Sequence, residues 1–161
     1  MVAAEHDPST IHATAVLVGA RAVLIRGPAG SGKSSLALRL LQAADAGLLP
    51  FARLVGDDRV RVEAVHGALL VRPAAALAGL VEIRGLGLRR LPFEPVAAVG
   101  WVVDLGSADA TRLPDADALT VLLSAVRLPR LAVAQDADPV LPVLLFCRES
   151  GGSPIGATIP I

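Results

Sequence analysis

Aromatic side chains are scarce: the 161-residue chain has no tyrosine, one tryptophan and three phenylalanines, 2% of the sequence against 53% hydrophobic residues overall. Its core must be packed from Leu, Val, Ile and Ala. Cysteine is as rare. The single Cys147 excludes an intrachain disulfide and a multi-cysteine zinc site, and reads as a small core hydrophobe suited to a reducing cytoplasm. Excess charge of either sign is missing too: the formal net charge is zero, which removes the electrostatic case for a nucleic-acid or anionic-membrane partner. Long hydrophobic runs are also lacking. Arg26, Arg39, Arg53, Arg72 and Glu82 interrupt the apolar stretches well before the roughly 18 residues of a membrane span accumulate. The opening MVAAEHDPST is acidic and polar, unlike a signal peptide. A soluble, cytoplasmic protein is expected.

The length fits one domain, taken as residues 1–150, with GGSPIGATIPI at 151–161 reading as a loose tail. In ATAVLVGARAVLIR, 13–26, two aliphatic runs flank Gly19-Ala20 and predict a hairpin. KSSLALRLLQAAD, 33–45, predicts a helix, with Gly47 as its stop. Strands are expected at the end of 54–55, over 59–65, after the His66-Gly67 turn over 68–72, and over 97–104. PAAALAG predicts one helical turn, and LVEIRGLGLRR a short strand followed by a glycine-bracketed loop. Residues 105–118 read as polar loop, and 126–133 and 140–146 as weaker strands. Several hairpins beside one strand–loop–helix unit point to an α/β fold on a mixed sheet, since a fully parallel doubly wound sheet needs more helical crossovers.

Lysine is the last shortage. Of the 15 basic residues, fourteen are arginine and one is Lys33, inside GPAGSGKSS. Gly27-Pro28-Ala29-Gly30-Ser31-Gly32-Lys33-Ser34 matches the G-x-x-x-x-G-K-[ST] pattern, preceded by a predicted strand and opening a predicted helix. Glycines let successive N–H groups face a phosphate at a helix N-terminus. A lysine ammonium is a compact point charge on a flexible stem that arginine's planar fork does not replace. Phosphoryl transfer further needs an acid and a group that positions the nucleophile. Asp57-Asp58 in RLVGDD and Glu82 in VEIRGLG are the candidates; read alone, the first pair equally suits a hairpin tip and Glu82 the solvent side of a strand.

Taken in order, the GPAGSGKS loop, RLVGDDRV and VEIRGLG resemble the catalytic domain of the HPr kinase/phosphorylase family over about residues 11–104, and His12 matches a histidine that family places ahead of its loop. The resemblance implies a P-loop kinase domain related to phosphoenolpyruvate carboxykinase and an ATP-dependent serine kinase and phosphorylase acting on the phosphocarrier HPr. It implies that residues 27–34 bind ATP, that Lys33 holds its terminal phosphates, and that Ser34 and Glu82 ligate Mg²⁺. Asp57 would exchange the proton of the substrate serine, Asp58 would support it, and His12 and Arg112 match further catalytic positions. Arg84 or Arg112 would balance charge on the moving phosphoryl group. Family members form hexamers, so a homo-oligomer is expected. Leu86, Leu88 and Leu91, between Arg84 and the end of that segment, read either as partner contact or as core.

Three departures from the family pattern stand out. Few residues precede Ile11, where the family has an N-terminal domain, so the chain reads as a short, catalytic-domain form. Ser35 stands where an acid is usual. AVAQDADPV, with Gln135, Asp136 and Asp138, replaces a basic P-x-x-x-G-R-N element, which implies a weak or absent phosphorylase direction because acids repel inorganic phosphate. Two other readings remain open: a small-molecule kinase on the same loop, and a nucleotide-binding interaction module without transfer activity.

Overall fold

The computed structural model describes residues 10–149; the tail expected at 151–161 lies outside them. Ten strands and two helices follow in chain order: β1 (Thr10–Val18), β2 (Arg21–Arg26), α1 (Lys33–Asp45), β3 (Ala52–Gly56), β4 (Arg59–Val65), β5 (Ala68–Pro73), β6 (Leu80–Ile83), β7 (Gly87–Arg90), β8 (Ala97–Leu105), β9 (Thr120–Leu123), β10 (Val126–Val133) and α2 (Val140–Arg148). The fold is mixed α/β. Antiparallel pairs β2–β1, β1–β4, β4–β5 and β5–β8 are closed into a ring by the parallel pair β2–β8. Outside the ring, β3 pairs the second half of β1, and β10 runs parallel to β8 and carries β9 on its outer edge.

Strand alternation sends successive side chains to opposite faces. On β2, Val23 and Ile25 join one core with Trp101, Val103, the α1 residues Leu36, Ala37 and Leu40, and Val143 and Leu144 of α2. Ala22 and Leu24 join the other, with Ala13, Ala15, Val60, Leu69 and Val71. Leu36 and Leu40 are 1% and 0% exposed, each contributing about 1.5–3 kcal/mol of burial; they fix α1 over β1–β2 and hence the loop that joins β2 to α1. Cys147 packs against the first core, and burial pushes its thiol up to about 12.

The β1–β2 hairpin and helix 33–45 are found where expected, and Gly47 ends α1 at φ 78°. The strand expected at 140–146 is instead α2. An apolar run carries no period of its own, and here the Asp138 carboxylate accepts the N–H of Val140 at 3.0 Å, starting a helix that buries Val143 and Leu144 against the first core. The strand and glycine-bracketed turn expected in LVEIRGLGLRR are found at 80–83 and 84–86, and a second, unexpected strand follows: β6 and β7 form their own hairpin, Glu82 opposite Leu88. Leu86 and Leu88 are 59% and 65% exposed, so neither is core.

Candidate phosphate and carboxylate cleft

At the end of β2 the chain leaves the sheet through residues 27–32 and enters α1. Gly27 has no alternative: a Cβ there would stand 2.8 Å from the carbonyl oxygen of Leu105 and 2.5 Å from Ser31 Oγ. Gly32 precedes the helix at φ 96°, a left-handed conformation that costs an L side chain about 1–2 kcal/mol. No side chain caps α1 and its first turn has no acid, so its leading N–H groups are left without an intrahelical or side-chain acceptor. Lys33, 7% exposed, donates to the carbonyls of Gly27 at 2.9 Å and Pro28 at 3.1 Å. Burial lowers its pKa, and the carboxylates of Asp58 and Asp57 oppose that shift.

The acids arrive by sheet register. β1 pairs Ala15 with Gly56, the last residue of β3, so Asp57 turns beside Thr14. Asp57 is 4% exposed, and its Oδ1 accepts two hydroxyls, Thr14 Oγ1 at 2.8 Å and Ser34 Oγ at 2.7 Å. No described residue donates to Oδ2. Asp58 takes φ 66°, its carbonyl accepting the N–H of Ala13 and its carboxylate 3.1 Å from His12 Nε2. Aspartate tolerates that backbone better than most residues. The result is a cleft of about 810 Å³ that brings together His12, Lys33, Ser34, Asp57, Glu82 and Arg84, with Leu77, Leu80 and Leu88 as apolar wall. Ser35 lines it as well. Arg112 does not: it lies exposed in the segment between β8 and β9. Neither Phe51 nor Phe93 lines the cleft.

The donor set suits a polyphosphate with a divalent cation. A glycine-lined turn, uncapped helical N–H groups, one buried ammonium and a serine hydroxyl have the donor chemistry that a phosphate cradle needs. Among the described residues no three His, Cys, Asp or Glu side chains gather into a self-sufficient metal site. An ion held here would share its ligands with phosphate oxygens, which is how Mg²⁺ is commonly bound. Thr14 and Asp104 were not picked out by sequence reasoning. Thr14 has no motif around it, and the arginines that hold Asp104 lie 78 and 26 residues away in sequence.

The model of the HPr Serine kinase C-terminal domain family matches residues 5–91, more than half of the chain. The chain belongs to that family. Among curated HPr kinase/phosphorylases, that of Streptococcus thermophilus is 41% identical over 83 residues, which is 51% of this chain and 25% of the relative. The Clostridium beijerinckii protein is 36% identical over 78 residues, 48% and 24% of the two chains. The chain thus spans about a quarter of the length of these curated relatives. The structure of the Hpr(Ser) kinase/phosphatase from Coxiella burnetii superposes with a TM-score of 0.69 at 23% identity, covering 86% of this chain and 93% of that one. The HPr kinase domain fold therefore extends beyond the matched residues, to most of the chain. No described helix is long and apolar enough to cross a membrane.

Proposed function

We propose that this chain is an ATP-dependent protein-serine kinase acting on an HPr-like phosphocarrier protein, working in the cytoplasm as a homo-oligomer on a scaffold related to phosphoenolpyruvate carboxykinase. The observation that carries the reading is the Asp57 carboxylate: both hydroxyl donors fall on Oδ1, and Oδ2 is left for a substrate hydroxyl in the same cleft as Lys33. An unactivated serine is a poor nucleophile at neutral pH, and Oδ2 would orient it and accept its proton as the phosphoryl group arrives. In reverse the same carboxyl returns the proton. His12 would hold Asp58, and Asp58 with Asp57 opposes the lowering that burial imposes on the Lys33 ammonium. Residues 27–34 would cradle the phosphates and Lys33 would exchange its two loop carbonyls for terminal phosphate oxygens. Mg²⁺, when bound, neutralises phosphate charge, and Ser34 and Glu82 are the residues that would hold it. Between the two arginines left open by the sequence, Arg84 is favoured as the one that balances charge on the migrating group, because it lines the cleft.

The phosphorylase direction is proposed to be weak. Asp138 is occupied by Arg39, at 3.2 and 3.4 Å, and by the start of α2, while Gln135 and Asp136 are exposed. None of these offers a positive site for inorganic phosphate. Incubation of phosphorylated HPr with the protein and phosphate should release little pyrophosphate; release as fast as the forward reaction would overturn this point. The position of Arg112 outside the cleft favours one alternative, a nucleotide-binding module without transfer activity. Calorimetry paired with transfer assays separates the two. For a kinase, Lys33→Ala loses ATP affinity, while Asp57→Asn keeps ATP and loses transfer. A module leaves Asp57→Asn indistinguishable from the native chain.

A further inference from the structure

Behind the cleft, a chain of charges links the root of the phosphate loop to a surface segment. Arg26 ends β2, immediately before Gly27, and grips Asp104 on the adjacent strand through Nε–Oδ1 at 2.7 Å and Nη2–Oδ2 at 2.8 Å. The two are register partners on β2 and β8. Arg130 reaches the same carboxylate from β10, Nε to Oδ2 at 2.6 Å. The rest of its guanidinium spreads over segment 106–119. Nη1 donates to Asp109 Oδ2 at 2.8 Å and to the carbonyl of Ala118 at 3.3 Å, and Nη2 to Asp109 Oδ1 at 3.0 Å and Ser107 Oγ at 3.2 Å. One side chain thus fastens both feet of that segment, whose middle carries Arg112 and the 85% exposed Leu113. The near foot also passes close to the phosphate loop: a Cβ added at Gly106 would stand 3.7 Å from the Pro28 ring and 3.9 Å from Ser31 Cβ.

The two central side chains, Arg130 and Asp104, are 12% and 13% exposed. Burial pushes the Asp104 carboxyl up, yet the bonds from Arg26 and Arg130 outweigh it and hold it below the usual carboxylate range. If stability alone were served, apolar residues of similar size would do as well or better, because desolvating charges offsets most of their attraction. What the charges add is geometry, since paired forks fix both distance and plane.

We propose that Asp104 is a positioning residue: through Arg26 and Arg130 it sets segment 106–119 against the phosphate loop, so that filling the loop is felt in the segment and mis-setting it slows transfer. The kinetic half rests on the kinase reading above; the coupling half requires only that the loop binds nucleotide. Hydrogen exchange over 106–119, followed by mass spectrometry with and without Mg-ATP, tests it in the native chain, in Asp104→Asn, and in the charge-free triple variant Arg26→Met/Asp104→Leu/Arg130→Met, which guards against simple unfolding. In the native chain ATP should slow exchange of 106–119. The triple variant should remain folded and bind ATP but lose that response, with kcat down about tenfold or more, over 1.4 kcal/mol of barrier, and KM for ATP little changed. Equal slowing in native and triple chains overturns the proposal, as does a native segment indifferent to bound ATP. A response to ATP without any labelling of HPr removes the kinase reading and leaves the coupling standing.

Discussion

Two hydroxyls share one oxygen of a buried carboxylate, and their removal should not be additive. Thr14 is 0% and Asp57 4% exposed, so water is poorly placed to replace the Thr14 donor, whereas Ser34 is half-buried at the cleft wall. A hydrogen bond to a charged group contributes about 1.5–3 kcal/mol. In Thr14→Val, nearly isosteric, Ser34 at 2.7 Å still serves Oδ1; in Ser34→Ala, Thr14 at 2.8 Å does. Each single change should therefore cost about 1.5–2 kcal/mol, the lower part of that range. The double variant leaves the buried Oδ1 with no protein donor, adding an unsatisfied-group penalty of about 1–3 kcal/mol. Urea unfolding of the four proteins closes the cycle. The expected coupling exceeds about 1 kcal/mol in the destabilising direction, a further loss of roughly 2–4 °C in Tm for a chain of this size. Costs that add to within about 0.5 kcal/mol would mean the two donors are independent, and would refute the shared-oxygen account.

Lys33→Arg keeps the charge but must fit a planar fork where an ammonium sits 2.9 and 3.1 Å from two loop carbonyls. ATP affinity should fall about tenfold or more, with overpacking costing about 1–3 kcal/mol of stability; unaltered affinity and turnover would contradict this. The Asp104 carboxyl has a folded pKa below its unfolded one. Its contribution is therefore complete above the unfolded value of about 3.9 and disappears as pH falls through the lower, folded value. Urea midpoints should drop more steeply below about pH 4 in the native chain than in Asp104→Asn, and parallel curves would contradict the pairing.

What was legible in the sequence was local. The β1–β2 hairpin, the glycine loop and α1 are specified by residues within a few positions of each other, through turn glycines and an unbroken run of helix formers. α2 is not legible because VLPVLLFC is apolar throughout, and its helical state is decided by Asp138 and by packing on α1. β9 had no turn signal to announce it. The two residues joining it to β10, Ser124 and Ala125, adopt φ 46° and 64°, where asparagine or glycine would have marked a hairpin. The acids of the cleft were legible as types, yet their roles depend on neighbours 43 and 23 positions away, Thr14 and Ser34. Asp104 was hidden for the same reason: its arginines lie 78 and 26 residues off in sequence.

Incubation of purified HPr with the native chain and radiolabelled Mg-ATP, followed by phosphoamino-acid analysis, tests the central claim most directly. The account predicts label on a serine of HPr, abolished by Asp57→Asn although that variant still binds ATP. Bound ATP with no label on HPr from the native chain would contradict it, and would make the cleft a nucleotide sensor instead of a kinase site.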